Sequence, residues 1–216
     1  CSGVEESALA GGCTFVGNSA GDKGGGVFAE SIEALTIGNC VFAGNSAHDG
    51  GGVAAGAVVG EVVNCTFQHN VASGQGGGIF VADESELLIG NTILWDNVST
   101  AEGAELYVGS TASSEVNSCV VEGGVSGPKV HGASIVAQSN NLAQDPKFVS
   151  APAGTWSGAA SYDAARNETV LYDTSAGWFP HVLRKILLNP DTTANDYFLI
   201  LDNTETSVTV LGDASS

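Results

Sequence analysis

Asn39-Cys40-Val41-Phe42-Ala43-Gly44-Asn45 decides the fold, because the chain repeats it. The same template stands upstream at Gly12-Cys13-Thr14-Phe15-Val16-Gly17-Asn18. It returns downstream at Asn64-Cys65-Thr66-Phe67-Gln68-His69-Asn70 and Asn91-Thr92-Ile93-Leu94-Trp95-Asp96-Asn97. Ser118-Cys119-Val120-Val121-Glu122-Gly123-Gly124 is a decayed fifth copy, and the copies start 27, 25, 27 and 27 residues apart. Behind the first four copies lies a glycine cluster: Gly24-Gly25-Gly26-Val27, Gly50-Gly51-Gly52-Val53, Gly76-Gly77-Gly78-Ile79 and the degenerate Gly103-Ala104-Glu105-Leu106. Short alternating runs such as Leu35-Thr36-Ile37 and Leu87-Leu88-Ile89 precede the core segments. A fixed period with three short strand-like runs and no helical spacing predicts a coil of three strands per turn. The fold class is all-β: a right-handed parallel β-helix of about five to six coils over residues 1–149, then a small β-rich C-terminal module over 150–216.

Side chains alternate across a strand, so Cys40 and Phe42 face one way and Val41 the other. Stacked coils then superpose equivalent residues about 4.8 Å apart. Two inward columns follow, Cys13, Cys40, Cys65, Thr92 and Cys119 beside Phe15, Phe42, Phe67, Leu94 and Val121. Asn18, Asn45, Asn70 and Asn97 form an amide column that sets register by bonding to backbone and to the amide of the next coil. Asn39, Asn64 and Asn91 form a second. The glycines mark turns where a positive φ or a close approach excludes a Cβ.

The paired signatures Phe-x-x-Asn (Phe15 to Asn18, Phe42 to Asn45, Phe67 to Asn70) and Gly-Gly followed by Val or Ile resemble the repeat of polymorphic outer-membrane proteins and related right-handed parallel β-helix surface proteins. The resemblance covers residues 1 to 125. It implies secreted or cell-surface proteins with adhesive, matrix or passenger roles, and it carries no catalytic residues. No β-barrel translocator follows in these residues, a departure from the family pattern. Residues 131–149 supply a looser sixth coil, with Ser134-Ile135-Val136 as strand, and the phrase from Asn140 to Phe148 resembles the ending of many bacterial β-helix domains.

Beyond Ser150 the glycine clusters cease. Thr155 to Asp163, Glu168 to Asp173, Phe198 to Asp202 and Ser207 to Leu211 read as strands, with turns at 164–167 and 202–205. Trp178 to Asp191 fits a strand, or one helical turn and then a strand. The stretch is similar to a small β module often appended to bacterial β-helix proteins, and its small core predicts packing on the last coil.

Six Lys and Arg stand against 24 Asp and Glu, a formal charge of −18, which repels phosphate backbones and anionic membranes. No apolar run is long enough to span a bilayer as a helix. The cysteines lack metal-ligand spacing, and their column suits packing. Cys1 stands outside the column, and Cys1 to Ala10 offers no evident cap, so the first coil is expected to be covered by another subunit or by upstream sequence. A polysaccharide lyase would need a basic residue beside a carboxylate cluster. Only Lys23 and Lys129 lie on the coils, each without an evident partner in the next coil. Asp22 and Asp49 come closest to the paired carboxylates of an inverting glycosidase, but both precede glycine in turns. His48, His69, His131 and His181 are scattered. Asp191, Asn195 and Asp196 are oxygen donors that suit Ca²⁺ in one loop, with ordinary turn chemistry preferred, and no other cofactor is expected. Trp95 replaces the smaller Val16, Ala43 and Gln68 and would mark a contact if exposed. The expected function is a non-enzymatic extracellular or cell-surface structural or adhesive protein, in one version a self-assembling filament. Its partners would be copies of itself, surface or matrix components, or glycans. The alternative is a carbohydrate-binding or polysaccharide-degrading β-helix.

Overall fold

The computed structural model describes residues 7–138, 140–146, 156–178, 180, 187–188, 190 and 198–215. Contacts divide the chain into two compact units, Cys1–Pro146 and Lys147–Ser216. The first is a parallel β-solenoid of about five turns.

The second, third and fourth coils have four sides, where the sequence predicts three. Side 1 stacks Ser7–Gly11, Ala34–Gly38, Val59–Val63, Glu86–Gly90, Ser113–Asn117 and Ile135–Ala137. Side 2 stacks Thr14–Val16, Val41–Ala43, Thr66–Gln68, Ile93–Trp95 and Val120–Val121. Side 4 stacks Val27–Glu30, Val53–Gly56, Ile79–Val81, Leu106–Val108 and Val130–His131. Between sides 2 and 4 runs the additional short side 3, Ser46–Ala47, Val71–Ala72 and Val98–Ser99. Two residues are too few to leave a periodic pattern, which is why this side is invisible in the sequence.

The corners explain the template. The residue before the cysteine position is left-handed in every copy, with φ +65 at Gly12, +56 at Asn39, +55 at Asn64, +47 at Asn91 and +54 at Ser118. Asn tolerates this region better than most residues. The Asn39, Asn64 and Asn91 column is therefore exposed turn chemistry first, although Asn91 Nδ2 does donate to Asn64 Oδ1 at 2.7 Å. A second left-handed column, Gly17, Gly44, His69, Asp96 and Gly123, precedes the positions of Asn18, Asn45, Asn70, Asn97 and Gly124. Behind it the glycine cluster approaches its neighbours closely. A Cβ on Gly51 would lie 2.5 Å from the Val71 carbonyl oxygen and 2.6 Å from that of Gly77.

Inside, Phe15, Phe42 and Phe67 stack at 4.7 and 4.6 Å within 7° of parallel, and Leu94 and Val121 continue the column. Burial of each such ring contributes roughly 1.5–3 kcal/mol, and aliphatic residues of sides 1 and 4, such as Ile37, Ile79, Ile89 and Leu106, complete the core. The expected sixth coil is present in part: Ile135–Ala137 pairs with 114–116, and Leu142 bridges Val120. Lys147 and Phe148 lie outside the described residues.

The second unit is an antiparallel sheet in the order Ser161–Asp163, Glu168–Tyr172, Ser207–Leu211, Phe198–Asn203 and Leu187–Leu188. The first strand begins at Ser161, because the residues from Trp156 to Ala160 run as irregular chain. Leu171, Leu188, Ile200, Val208, Val210 and Ala214 form its core, with Trp156 and Trp178 packed against it.

Candidate functional site

The amide column has the predicted geometry. Oδ1 of Asn45 accepts from both the backbone N–H and Nδ2 of Asn18, each at 3.0 Å. Asn70 does the same for Asn45 at 3.1 and 2.9 Å, and Asn97 for Asn70 at 2.9 and 2.9 Å. The free amide hydrogens go to carbonyls at the rear: Asn45 to Phe15, Asn70 to Phe42 and Asn97 to Phe67.

The cysteine column is more than packing. Cys40 Sγ accepts from the Cys13 N–H at 3.4 Å and Cys65 Sγ from the Cys40 N–H at 3.5 Å, while each thiol donates to the carbonyl two residues back. Thr92 and Asn141 take the same role with oxygen, accepting from the N–H groups of Cys65 and Cys119 at 3.3 and 2.9 Å. A side chain that accepts from the preceding coil is what the position demands, and Cys, Thr and Asn all supply it. The column thus survives substitution. Cys40, Cys65 and Cys119 are buried, whereas Cys13, in the first coil, is exposed rather than interior; all four are free thiols. Burial pushes the Cys65 thiol up to about 11.

Where the amide column should reach the fifth coil, the register places Gly124, which has no side chain. Glu105 fills the gap from the glycine column. Its carboxylate accepts from the Asn97 N–H at 3.1 Å and from Asn97 Nδ2 at 2.5 Å, and its side chain is fully buried. Burial, opposed by the Asn97 bonds, lifts its carboxyl to about 8. Lys129 occupies the same column one coil on, its carbonyl taking the Glu105 N–H at 2.9 Å. The Lys129 ammonium lies 2.6 Å from Glu122 Oε2 and 3.8 Å from Glu105 Oε1. Lys129 therefore has two carboxyl partners where the sequence predicts none. Glu122 hydrogen-bonds Glu105 as well, and the lysine, Asp96 N–H and Glu105 bonds outweigh its desolvation and hold its carboxyl below the usual range.

Side 4 carries the outward face with most chemistry. Phe28, Ala54, Phe80, Tyr107 and His131 form one in-register column. Phe80 and Tyr107 stack at 5.3 Å, Tyr107 and His131 at 5.2 Å, and Lys23 sits 5.8 Å above the Phe28 ring. Beside Phe80 and Tyr107 opens a groove of about 440 Å³ rimmed by Glu30, Gln75, Asp83 and Glu84. Asp83 Oδ1 accepts from the Thr111 N–H at 2.9 Å and Ser110 Oγ at 3.2 Å, and the Thr111 bond leads in holding its carboxyl below the usual range. Among the described residues no lysine or arginine lines the groove, so it offers hydrogen-bond acceptors and negative charge to a ligand. Sequence reasoning missed this face, because its members come from five coils.

The remaining candidates do not converge. Asp49 Oδ1 accepts the Gln75 N–H at 2.8 Å and shapes a turn, and the only bond described between Asp22 and Asp49 is of backbone, from the Asp49 N–H to the Asp22 carbonyl. His48 Nδ1 lies 3.1 Å from Ser73 Oγ, and His131 Nε2 3.2 Å from Glu102. Burial lowers the His69 pKa against the pull of Asp96. Trp95 is half-buried rather than exposed, aligned with Gln68. Among the described residues no three His, Cys, Asp or Glu groups are placed to hold a metal. His181, Asp191, Asn195 and Asp196 lie outside the described residues.

A family model for the right-handed β-helix region matches residues 3–168. No match is found among curated proteins or among solved structures.

Proposed function

The chain belongs to the right-handed β-helix family, and from that premise we propose that it is a non-enzymatic extracellular or cell-surface structural protein that adheres through the side 4 groove. The observation that carries this reading is where the polar chemistry goes. Asn45, Asn70, Asn97, Thr92 and Glu105 are buried, and their hydrogen bonds run from coil to coil or, as between Asn97 and Glu105, within one coil, which rigidifies a scaffold. A general acid needs a carboxyl held protonated near neutral pH beside its substrate. Glu105 has that property but is sealed from solvent, while the groove's Asp83 is held ionised by its N–H and O–H donors. The surface-protein setting rests on the resemblance of the repeat.

The groove favours one ligand chemistry. Carboxylates and an amide beside ring edges accept hydrogen bonds from hydroxyl groups, and the charge of −18 disfavours polyanions, so neutral glycans fit. A glycan array with wild-type protein and Asp83→Asn tests this: binding of neutral glycans that the variant weakens supports it. Binding of none sinks the adhesive role, and product release from pectin, alginate or neutral glycans would overturn the non-enzymatic reading.

The filament version has its own support. Among the described residues no strand pairs with the outer edge of Ser7–Gly11, whose inward Ala8 and Ala10 are only partly buried. Head-to-tail addition of a second copy would cover it. Mass measurement decides: a concentration-independent monomer rejects assembly.

A further inference from the structure

Residues 122–129 are held differently from the equivalent stretch of the other coils. The side 3 stack comprises Ser46–Ala47, Val71–Ala72 and Val98–Ser99, and the fifth coil adds no strand to it. Its backbone instead bonds to itself in tight turns, from the Gly124 N–H to Val121, Gly127 to Gly124 and Val130 to Gly127. Backbone bonds tie the segment to the fourth coil only at its two ends, from the Glu122 N–H to the Leu94 carbonyl and from the Glu105 N–H to the Lys129 carbonyl, and a set of side chains reinforces both. Glu122 Oε2 accepts the Asp96 N–H at 2.8 Å and meets Lys129 at 2.6 Å, and Lys129 reaches the buried Glu105.

We propose that Glu105, Glu122 and Lys129 form a proton-operated latch that holds residues 122–129 against the fourth coil, closed while the two carboxyls share one proton and released as that proton leaves. With the proton in place the cluster is neutral: one carboxylate, one ammonium and one carboxylic acid. Loss of the proton to solvent puts a second carboxylate against the first with a single lysine between them. A buried unpaired charge is costly, and the cheapest relief is to let water in by lifting the segment. The groups facing Glu105 are few. Asn97, neutral, and Asp96 come from the corner after Ile93–Trp95, and Glu122 and Lys129 come from the fifth coil. Glu102, paired to His131, precedes Glu105 on its own turn, and His69 senses Asp96 from the third coil.

The sign follows from the titration. Glu105 stays protonated in the closed state to about 8 but ionises near 4.5 when exposed. Closure is therefore strongest below 4.5, weakens by up to about tenfold per pH unit between those values, and levels off above 8. Amide hydrogen exchange on the full chain reads this directly, each rate divided by its intrinsic rate at that pH. The Asp96, Asn97, Glu105 and Val130 amides should open progressively over this window, while Asn64 and Val71, bonded to the Gly90 and Asn45 carbonyls away from the segment, should not. Glu105→Gln keeps an acceptor for Asn97 and removes the titration, so its opening should be flat with pH. Glu122→Gln should move the levelling point to lower pH, since the Glu122 carboxylate helps retain the proton; this second variant keeps the test valid if Glu105→Gln fails to fold. A flat wild-type profile, a slope that persists in Glu105→Gln, or an unmoved levelling point in Glu122→Gln would each overturn the latch.

Discussion

Replacing Asn70 by alanine tests the amide column where it is fully enclosed. The side chain is 0 % exposed and serves four groups, of which Asn97 Oδ1 keeps the Asn70 N–H while the other three lose this partner in its absence. It accepts the Asn45 N–H at 3.1 Å and one Asn45 amide hydrogen at 2.9 Å, and it donates to the Phe42 carbonyl at 2.9 Å. Stranding a buried donor or acceptor costs about 1–3 kcal/mol, so three of them, with partial relaxation, give about 3–6 kcal/mol. Asn18→Ala, at the exposed end of the column, removes one of two donors to Asn45 Oδ1 and should cost about 1 kcal/mol or less. Asn70→Asp discriminates further. It keeps the acceptor but turns an oxygen toward the Phe42 carbonyl and Asn97 Oδ1, so the folded state should hold the carboxyl protonated. That variant is then most stable below the unfolded value of about 3.9 and loses stability as pH rises toward its raised folded value. Urea denaturation followed by circular dichroism measures all three. If Asn70→Ala unfolds within about 1 kcal/mol of Asn18→Ala, the column carries no load beyond ordinary surface amides and the reasoning fails.

Gly51→Ala should cost well over 3 kcal/mol, because its Cβ meets rigid backbone oxygens on two sides, whereas Gly17→Ala, with φ +62 and nothing within 4 Å, should cost only the left-handed penalty of about 1–2 kcal/mol. Equal urea midpoints for the two would contradict the close-approach account. A brief maleimide pulse near neutral pH, mapped by peptide mass, should label Cys13 and spare Cys40, Cys65 and Cys119 until denaturant is added; labelling of Cys65 as fast as Cys13 would show the column is open. In the second unit, Thr169→Val strands the Gly212 carbonyl and the Ala214 N–H, bonded at 2.6 and 2.9 Å, and should lower stability by about 2–4 kcal/mol. Its near-ultraviolet signal from the edge-on Trp156 and Trp178 pair should melt earlier than in wild type.

The stacking was legible because each inward column repeats a residue type at a constant offset: Phe15, Phe42 and Phe67 can only superpose if the coil closes in about 26 residues. The corners were half legible. Gly and Asn announced left-handed turns, whereas His69 and Asp96 adopt the same conformation at the Gly17 and Gly44 position through a weaker preference that does not by itself mark a turn. The side 4 face was not legible, since Phe28, Phe80, Tyr107 and His131 are separated by whole coils and look like isolated aromatics on glycine-flanked strands. In the second unit, Glu168–Tyr172 and Ser207–Leu211 show the alternation of strands buried on one face, while the irregular run from Trp156 carries residues of strand type without that pairing.

Glu105 shows why a column must be compared with its neighbours. In the glycine column, Gly26 and Gly52 abut the Phe42 and Phe67 rings of the following coil, with a virtual Cβ 2.7 and 2.8 Å from ring carbon, so no side chain fits there. At Gly78 the ring is already replaced by Leu94, yet a Cβ there would still lie 2.6 Å from the Glu105 carbonyl oxygen; one coil after Glu105 the phenylalanine position holds the still smaller Val121. In the amide column, Gly124 removes the acceptor that Asn97 needs. Taken alone, Glu105 in place of glycine and Gly124 in place of asparagine both resemble decay of the repeat. Together they are complementary: the valine makes room, the missing amide creates demand, and one carboxyl reaches across to meet it. That exchange, a titratable group buried where the regular pattern stops, is also what gives the junction of the fourth and fifth coils a proton to lose.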